Sequence, residues 1–247
     1  MGWTEQLFEG PYAKQFIETA DDTERTASEA AFIIHELRLR KNHRVLDLAC
    51  GPGRHALAVA PNVAEVVGSD LTASYLDYAR AWAEREGIAN VSFVQEDMRD
   101  LAYDAEFDAA YNYFTAWGYY DAETNLDVLR RVCRALKPGG QFLLEIIGRD
   151  ALMRRYDARD WSQDEGGVLA LYNRCFDVVT GMQHSTQTYV PQEGAPEVIE
   201  IVHQIPAPDH LALLFKLAGF AETRVVSAPD SGEAGIDSFR IAVIGTR

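Results

Sequence analysis

Val45-Leu46-Asp47-Leu48-Ala49-Cys50-Gly51-Pro52-Gly53-Arg54-His55-Ala56 is the stretch that decides the fold. It begins with a short, nearly continuous apolar run, the pattern of a strand covered on both faces. Two glycines then flank a proline, and helical sequence follows to residue 60. A strand, a glycine turn and a helix in that order let the backbone approach a ligand at the carboxyl end of the strand. Gly51-x-Gly53-x-x-Ala56 also fits the dinucleotide fingerprint, a weak signal on its own, with a plain tight turn as the lesser alternative.

Strand and helix alternate downstream of this turn. Residues 64–68, 90–95, 107–114 and 141–147 read as strands, and 72–86 and 121–137 as helices. Leu126, Leu129, Val132, Cys133 and Leu136 share one face of the second helix, and Pro138-Gly139-Gly140 stops it. Such alternation predicts a doubly wound α/β domain, Rossmann-like, with a mostly parallel sheet. Between residues 150 and 206 the rhythm changes. Runs at 168–179 and 182–190 flank Thr180-Gly181, a good hairpin turn, and 197–205 offers a third run. An antiparallel β insert over 151–206 is expected to cover the ligand side of the site. The core resumes with a helix over 208–217, ended by Gly219, and strands near 222–227 and 238–245.

Upstream, 23–40 reads as a helix with Ala27, Ala30, Ala31, Ile34 and Leu37 at helical spacing and a possible capping box from Thr26 to Glu29. Residues 1–42 are expected to form a helical cap on a single domain spanning 1–247.

The formal net charge is −15 with an isoelectric point near 4.8. No basic footprint for phosphates is visible, which argues against nucleic acid and against an anionic membrane surface as partners. Cys50, Cys133 and Cys175 form no CxxC pair. That pattern suits a reducing, cytoplasmic setting and gives no zinc site, so no metal is expected. No apolar stretch approaches the ~20 residues a membrane span needs.

Several motifs occur in order between residues 45 and 147, and together they resemble the class I methyltransferases that use S-adenosylmethionine (SAM). Val45 to Gly53 resembles the family's first motif, though many members carry Thr or Ser where Pro52 stands. Val67-Gly68-Ser69-Asp70-Leu71-Thr72 resembles its second strand, Val94-Gln95-Glu96-Asp97-Met98-Arg99 the adenine-facing segment, Phe107 to Asn112 its fourth strand, and Leu136-Lys137-Pro138-Gly139-Gly140 the turn before the fifth. Asn112 to Tyr120, and more loosely Arg159-Asp160-Trp161, resemble a subgroup of small-molecule methyltransferases distantly related to sugar N,N-dimethyltransferases and glycine methyltransferases. The resemblance implies a seven-stranded sheet with its last strand antiparallel, SAM as cofactor, and S-adenosylhomocysteine as product.

It also implies roles by position. An acid at the end of the second strand, Asp70, accepts from the ribose hydroxyls. Asp97 accepts from the adenine amine or caps the short helix after it, and Met98 packs on the ring. Asp47, Ala49, Gly51, Gly53, Leu71 and Asn112 complete the expected cofactor set, with Tyr12 reaching over from the N-terminal segment. Trp117, Tyr119 and Tyr120 are candidates to line the acceptor pocket, and one of Arg154, Arg155 and Arg159 to pair with an acidic acceptor. A sulfonium methyl is already activated, so positioning supplies most of the rate. A base is needed only where the acceptor must lose a proton. His203, His184 and Tyr119 are the candidates.

The expected reaction is methylation of a nitrogen or oxygen of a small molecule, with a homodimer as a possible assembly. Carbon methylation of a natural-product scaffold, an NAD-dependent oxidoreductase and a non-catalytic SAM-binding protein remain the alternatives.

Overall fold

The structure is a computed structural model that describes Phe8, Ile17 and residues 23–247 except 165. Helix α1 (Thr23–Glu36) leads into strand β1 (Arg44–Leu48), helix α2 (Arg54–Val59), β2 (Glu65–Asp70), α3 (Ala73–Arg85), β3 (Val91–Gln95) and β4 (Phe107–Asn112). Then come α4 (Ala122–Ala135), β5 (Leu136–Ile147), the short α5 (Arg149–Arg154), β6 (Arg159–Gln163), β7 (Leu169–Asp177), β8 (Met182–Val190), β9 (Glu197–Gln204), α6 (Pro208–Ala218), β10 (Glu222–Ser227) and β11 (Arg240–Thr246).

Seven strands make one sheet in the order β10-β11-β5-β4-β1-β2-β3. β1 pairs in parallel with β2 on one side and β4 on the other, and β11 runs antiparallel between β5 and β10. Side chains along each central strand alternate between two apolar layers, as the period of two requires. Leu46, Leu48, Ala110, Phe142 and Leu144 pack with α4 and α6. Val45, Ala109, Tyr111 and Leu143 pack on the other face with α1 and α2. This two-sided burial is why β1 reads as a continuous apolar run.

β6, β7, β8 and β9 make a separate four-stranded antiparallel sheet. The sequence reading found three of its strands and missed β6. That strand's five residues, Arg-Asp-Trp-Ser-Gln, are all exposed, so burial leaves no alternation in them. The capping box is corrected. Helix α1 is already under way at Thr23, so Thr26 and Glu29 lie inside it, and both turn toward α2. No helix among the described residues is long and apolar enough to cross a membrane.

Strand order reverses between β1 and β4: the chain moves outward from β1 to β2 and β3, then returns to β4 on the other side. Side chains and backbone at the carboxyl ends of these strands meet in the crevice that such a reversal leaves.

Candidate active site

A cavity of about 440 Å³ opens at that crevice. Its lining runs from Ala49, Gly51, Asp70, Leu71, Asp97 and Met98 at the strand ends to Gln183, Ser185, Gln187, Ile201 and His203 on the second sheet, with Tyr119 from the loop after β4.

The glycine turn is tied to the end of β2. Gly51 N–H donates to Asp70 Oδ2 at 2.8 Å, and Thr72 N–H donates to Oδ1 at 2.9 Å. Burial raises the Asp70 carboxyl, and these N–H donors oppose the rise. The Thr72 side chain and the Leu71 N–H oppose it as well. Gly51 has φ +54 and open space where a Cβ would stand. Gly53 differs. It does not line the cavity, and at φ +86 a Cβ there would lie 2.8 Å from Ala79 Cβ and 3.0 Å from Phe93 Cζ. It is a packing glycine that lets α2 start against α3 and β3.

Asp97 caps the 3₁₀ turn at Met98–Asp100, accepting from Arg99 N–H at 2.9 Å, and its carboxylate meets Arg99 Nη2 at 2.5 Å. Burial would raise its pKa, but the Arg99 contacts outweigh that and lower it. Asp97 thus caps the turn, and it also lines the cavity. Asp47 and Asn112 are buried behind the cavity wall and do not line it. Tyr111 hydroxyl donates to Asp47 Oδ2 at 3.0 Å. Burial, against that hydrogen bond, pushes the Asp47 carboxyl up to about 7. Asn112 Nδ2 donates to Leu48 O at 2.8 Å and Ala116 O at 3.4 Å, fastening the end of β1 to the next loop. Tyr12 lies outside the described residues.

That loop, residues 113–120, carries strained backbone. Phe114 and Thr115 have φ of 73° and 58°. Side chains rarely adopt this region, and surrounding contacts must hold them there. Glu145, fully buried on β5, supplies them: Phe114 N–H donates to Oε2 at 2.7 Å and Thr115 N–H to the Glu145 carbonyl at 3.3 Å. Arg240 grips the same carboxylate with both Nε and Nη2, the latter at 2.5 Å.

Gly118 lets β9 lie against the loop. At φ +100 it donates no side chain, and a Cβ would come within 2.6 Å of Gln204 O and 2.9 Å of His203 Cδ2. In the space so left, Gln204 N–H donates to Gly118 O at 2.7 Å and His203 Nε2 meets Trp117 O at 2.6 Å. A carbonyl only accepts, so Nε2 carries the proton and Nδ1 is the lone-pair nitrogen. Burial lowers the His203 pKa, with the bond to Trp117 opposing, so the ring is neutral at pH 7. The Tyr119 ring sits 5.3 Å from it, and the Tyr119 hydroxyl donates to Thr115 O at 3.1 Å.

Other expected residues are not brought together. His184 is exposed on the face of β8 opposite Gln183 and Ser185, away from the cavity, and drops out as a base. The period of two along a strand separates it from its neighbours. Trp117 is 1% exposed with Nε1 donating to Asn125 O, a core role. Arg154, Arg155 and Arg159 do not line the cavity.

Sequence reasoning missed a charged cluster beside the glycine turn. Glu29, 4% exposed, takes Arg54 Nη2 at 2.5 Å, His55 Nε2 at 2.9 Å and Arg25 Nε at 3.1 Å. Burial raises the Glu29 carboxyl, but the His55 bond and the Arg54 charge outweigh it and hold it at about 2. His55, buried, is pushed down to about 4, so it is neutral and donates from Nε2. Arg25 and Arg54 both line the cavity, and with Arg240 they surround the Phe114 ring at 4.7, 5.5 and 4.8 Å. The i, i+4 spacing of Arg25 and Glu29 was the available signal. Cys50 is buried, and its thiol is raised well above its ordinary value by burial, so it packs and does not react.

Comparison with known proteins agrees with this geometry. A methyltransferase domain profile matches residues 45–140. An uncharacterized methyltransferase of Bacillus subtilis, YcgJ, is 35% identical over 113 residues, 45% of this chain and 44% of that protein. The chain spans about half the length of the curated relatives it matches. A SAM-dependent methyltransferase from Clostridium acetobutylicum has the same fold, with a TM-score of 0.78 at 18% identity over 95% of this chain and 98% of that one. SAM-bound CalS10, an amino pentose methyltransferase from Micromonospora echinaspora, gives a TM-score of 0.68 at 19% identity over 95% and 96% of the two chains. Residues 45–140 thus match a methyltransferase domain, and the whole described fold is the one shared by these SAM-dependent methyltransferases.

Proposed function

We propose that the protein transfers the methyl group of SAM to a nitrogen or oxygen of a small molecule. The observation that carries this reading is the continuity of the cavity: one space is lined by both Asp70 and His203. In the strand-end half, Asp70 would accept from the ribose hydroxyls. Asp97 and Met98 face the base, and Gly51 lets the backbone lie close to the donor. Bound SAM supplies a methyl group on a sulfonium sulfur, which needs no further activation. The second-sheet residues that line the same cavity would hold the acceptor, and in-line transfer asks of them only that they position it.

His203 holds the proton side of the chemistry. Its Nε2–H is committed to Trp117 O, so Nδ1 is the atom that takes the acceptor's proton as the new bond forms. A ring kept neutral by burial is ready for that task at pH 7. Tyr119 does not compete, because its hydroxyl proton goes to Thr115 O. A structural neighbour, KedS8 from Streptoalloteichus, is a sugar N-methyltransferase, which supports nitrogen as the acceptor atom. The net charge of −15 supports a small molecule over a nucleic acid.

The test is methyl transfer from labelled SAM to an acceptor panel, with His203→Gln beside the parent. Glutamine keeps an N–H where Nε2 stands and deletes Nδ1. Turnover of the variant should fall by about 10²-fold or more, with SAM affinity unchanged. Equal turnover by the variant would remove His203 as the base.

A further inference from the structure

Two polar atoms on the inner face of β8 are buried without a hydrogen-bond partner among the described residues: Gln183 Oε1 and Ser185 Oγ. Both residues line the cavity, and Ser185 is only 5% exposed. Buried polar atoms are almost always satisfied, and in a cavity wall a bound ligand can supply the missing partner. Two residues apart on an extended strand, they point to the same side, roughly 7 Å apart along the chain. Gln187 continues the row. Its Oε1 accepts from the Tyr189 hydroxyl at 2.6 Å, which leaves its amide N–H groups to donate.

This row carries no charge. β9 places Ile201 and His203 beside it, and His203 is neutral. The cations that line the cavity, Arg25 and Arg54, are both held by Glu29, at 3.1 and 2.5 Å. We propose that Gln183, Ser185 and Gln187 form the acceptor subsite and that it takes a polyhydroxylated small molecule with no anionic group. A hydroxyl both donates and accepts, so it satisfies an amide oxygen, an amide N–H and a serine hydroxyl alike. A carboxylate set on this row would lose its hydration, gain no cation and face Gln183 Oε1. A purely apolar acceptor would leave both orphaned atoms unpaired. The inference rests on the methyl-transfer reading and narrows its substrate class.

The experiment uses the full chain with labelled SAM and three acceptor sets: amino sugars and aminopolyols, unhydroxylated amines and phenols, and fatty and aromatic carboxylic acids. SAM affinity is measured in parallel by calorimetry. Turnover should concentrate in the hydroxylated set. Gln183→Leu and Ser185→Ala should each raise the acceptor KM about tenfold, the scale of one hydrogen bond, with SAM affinity unchanged. That unchanged affinity also shows each variant folded. Turnover confined to carboxylic acids or unhydroxylated acceptors overturns the inference, and so do unchanged KM values in both variants. SAM binding with no turnover of any hydroxylated acceptor also overturns it, while the cofactor reading stands. No SAM binding by the parent overturns the methyl-transfer reading itself.

Discussion

Replacing Arg240 by Met removes the only side-chain cation, among the described residues, on the Glu145 carboxylate, whose side chain is fully buried. Phe114 N–H at 2.7 Å is then the remaining donor to that carboxylate among the described residues. Breaking a buried pair this way costs about 3–5 kcal/mol, because an uncompensated charge stays in the interior. For a chain of this length each kcal/mol moves Tm by roughly 2–4 °C, so a fall on the order of 10 °C is expected. Glu145→Gln costs less, about 1–2 kcal/mol, because the amide oxygen still accepts from Phe114 and Arg240 is part-exposed and can turn to water. The double variant should recover more than half of the Arg240→Met loss. Urea unfolding followed by circular dichroism measures all four corners of the cycle. A loss below about 1 kcal/mol in Arg240→Met, or no recovery in the double variant, refutes the claim that this pair carries the loop.

Two further predictions follow from the same parts of the molecule. Gly118→Ala should lower stability by about 2–4 kcal/mol through strain at positive φ and a Cβ driven into Gln204 O. It should also displace His203, so methyl transfer falls more than SAM affinity does; equal loss of both would contradict the placement. Asp47 sets a pH effect. Its folded pKa of about 7 lies above an unfolded value near 3.9, so the folded state binds the proton more tightly. Stability is then fully present below about pH 4 and is lost as pH rises through 7, by about 4 kcal/mol at most. Asp47→Asn does not ionise and still accepts from Tyr111. It should therefore gain on the parent between urea titrations at pH 5 and pH 8, whereas a pH-independent difference would refute this origin.

The first half of the fold was legible because parallel strands buried on both faces leave plain apolar runs. β1, β2 and β4 show this, and the glycine turn between β1 and α2 marks where a ligand approaches. The second sheet was harder. β7 and β8 announced themselves through the Thr180-Gly181 turn, but β6 has no buried side and so no pattern. Within the site, Asp70, Leu71, Asp97 and Met98 were found because a strand end and a following turn fix their positions. Asp47, Gly53 and Asn112 stand in the same motifs but hold the wall from behind. Nothing in spacing separates a residue that faces the cavity from one that braces it. His184 and Ser185 make the same point on β8: adjacent in sequence, they look to opposite sides of the sheet. Glu29 was misread as a helix cap because its partners, Arg54 and His55, lie far along the chain.

Calorimetric titration with SAM and with S-adenosylhomocysteine, on the parent and on Asp70→Asn, tests the central claim most directly. Saturable one-site binding of both ligands is expected. The variant swaps a charged acceptor for an amide beside the Gly51 and Thr72 N–H groups and should bind about 10²-fold more weakly. Failure of the parent to bind either ligand, with binding of a nicotinamide dinucleotide in their place, would contradict it.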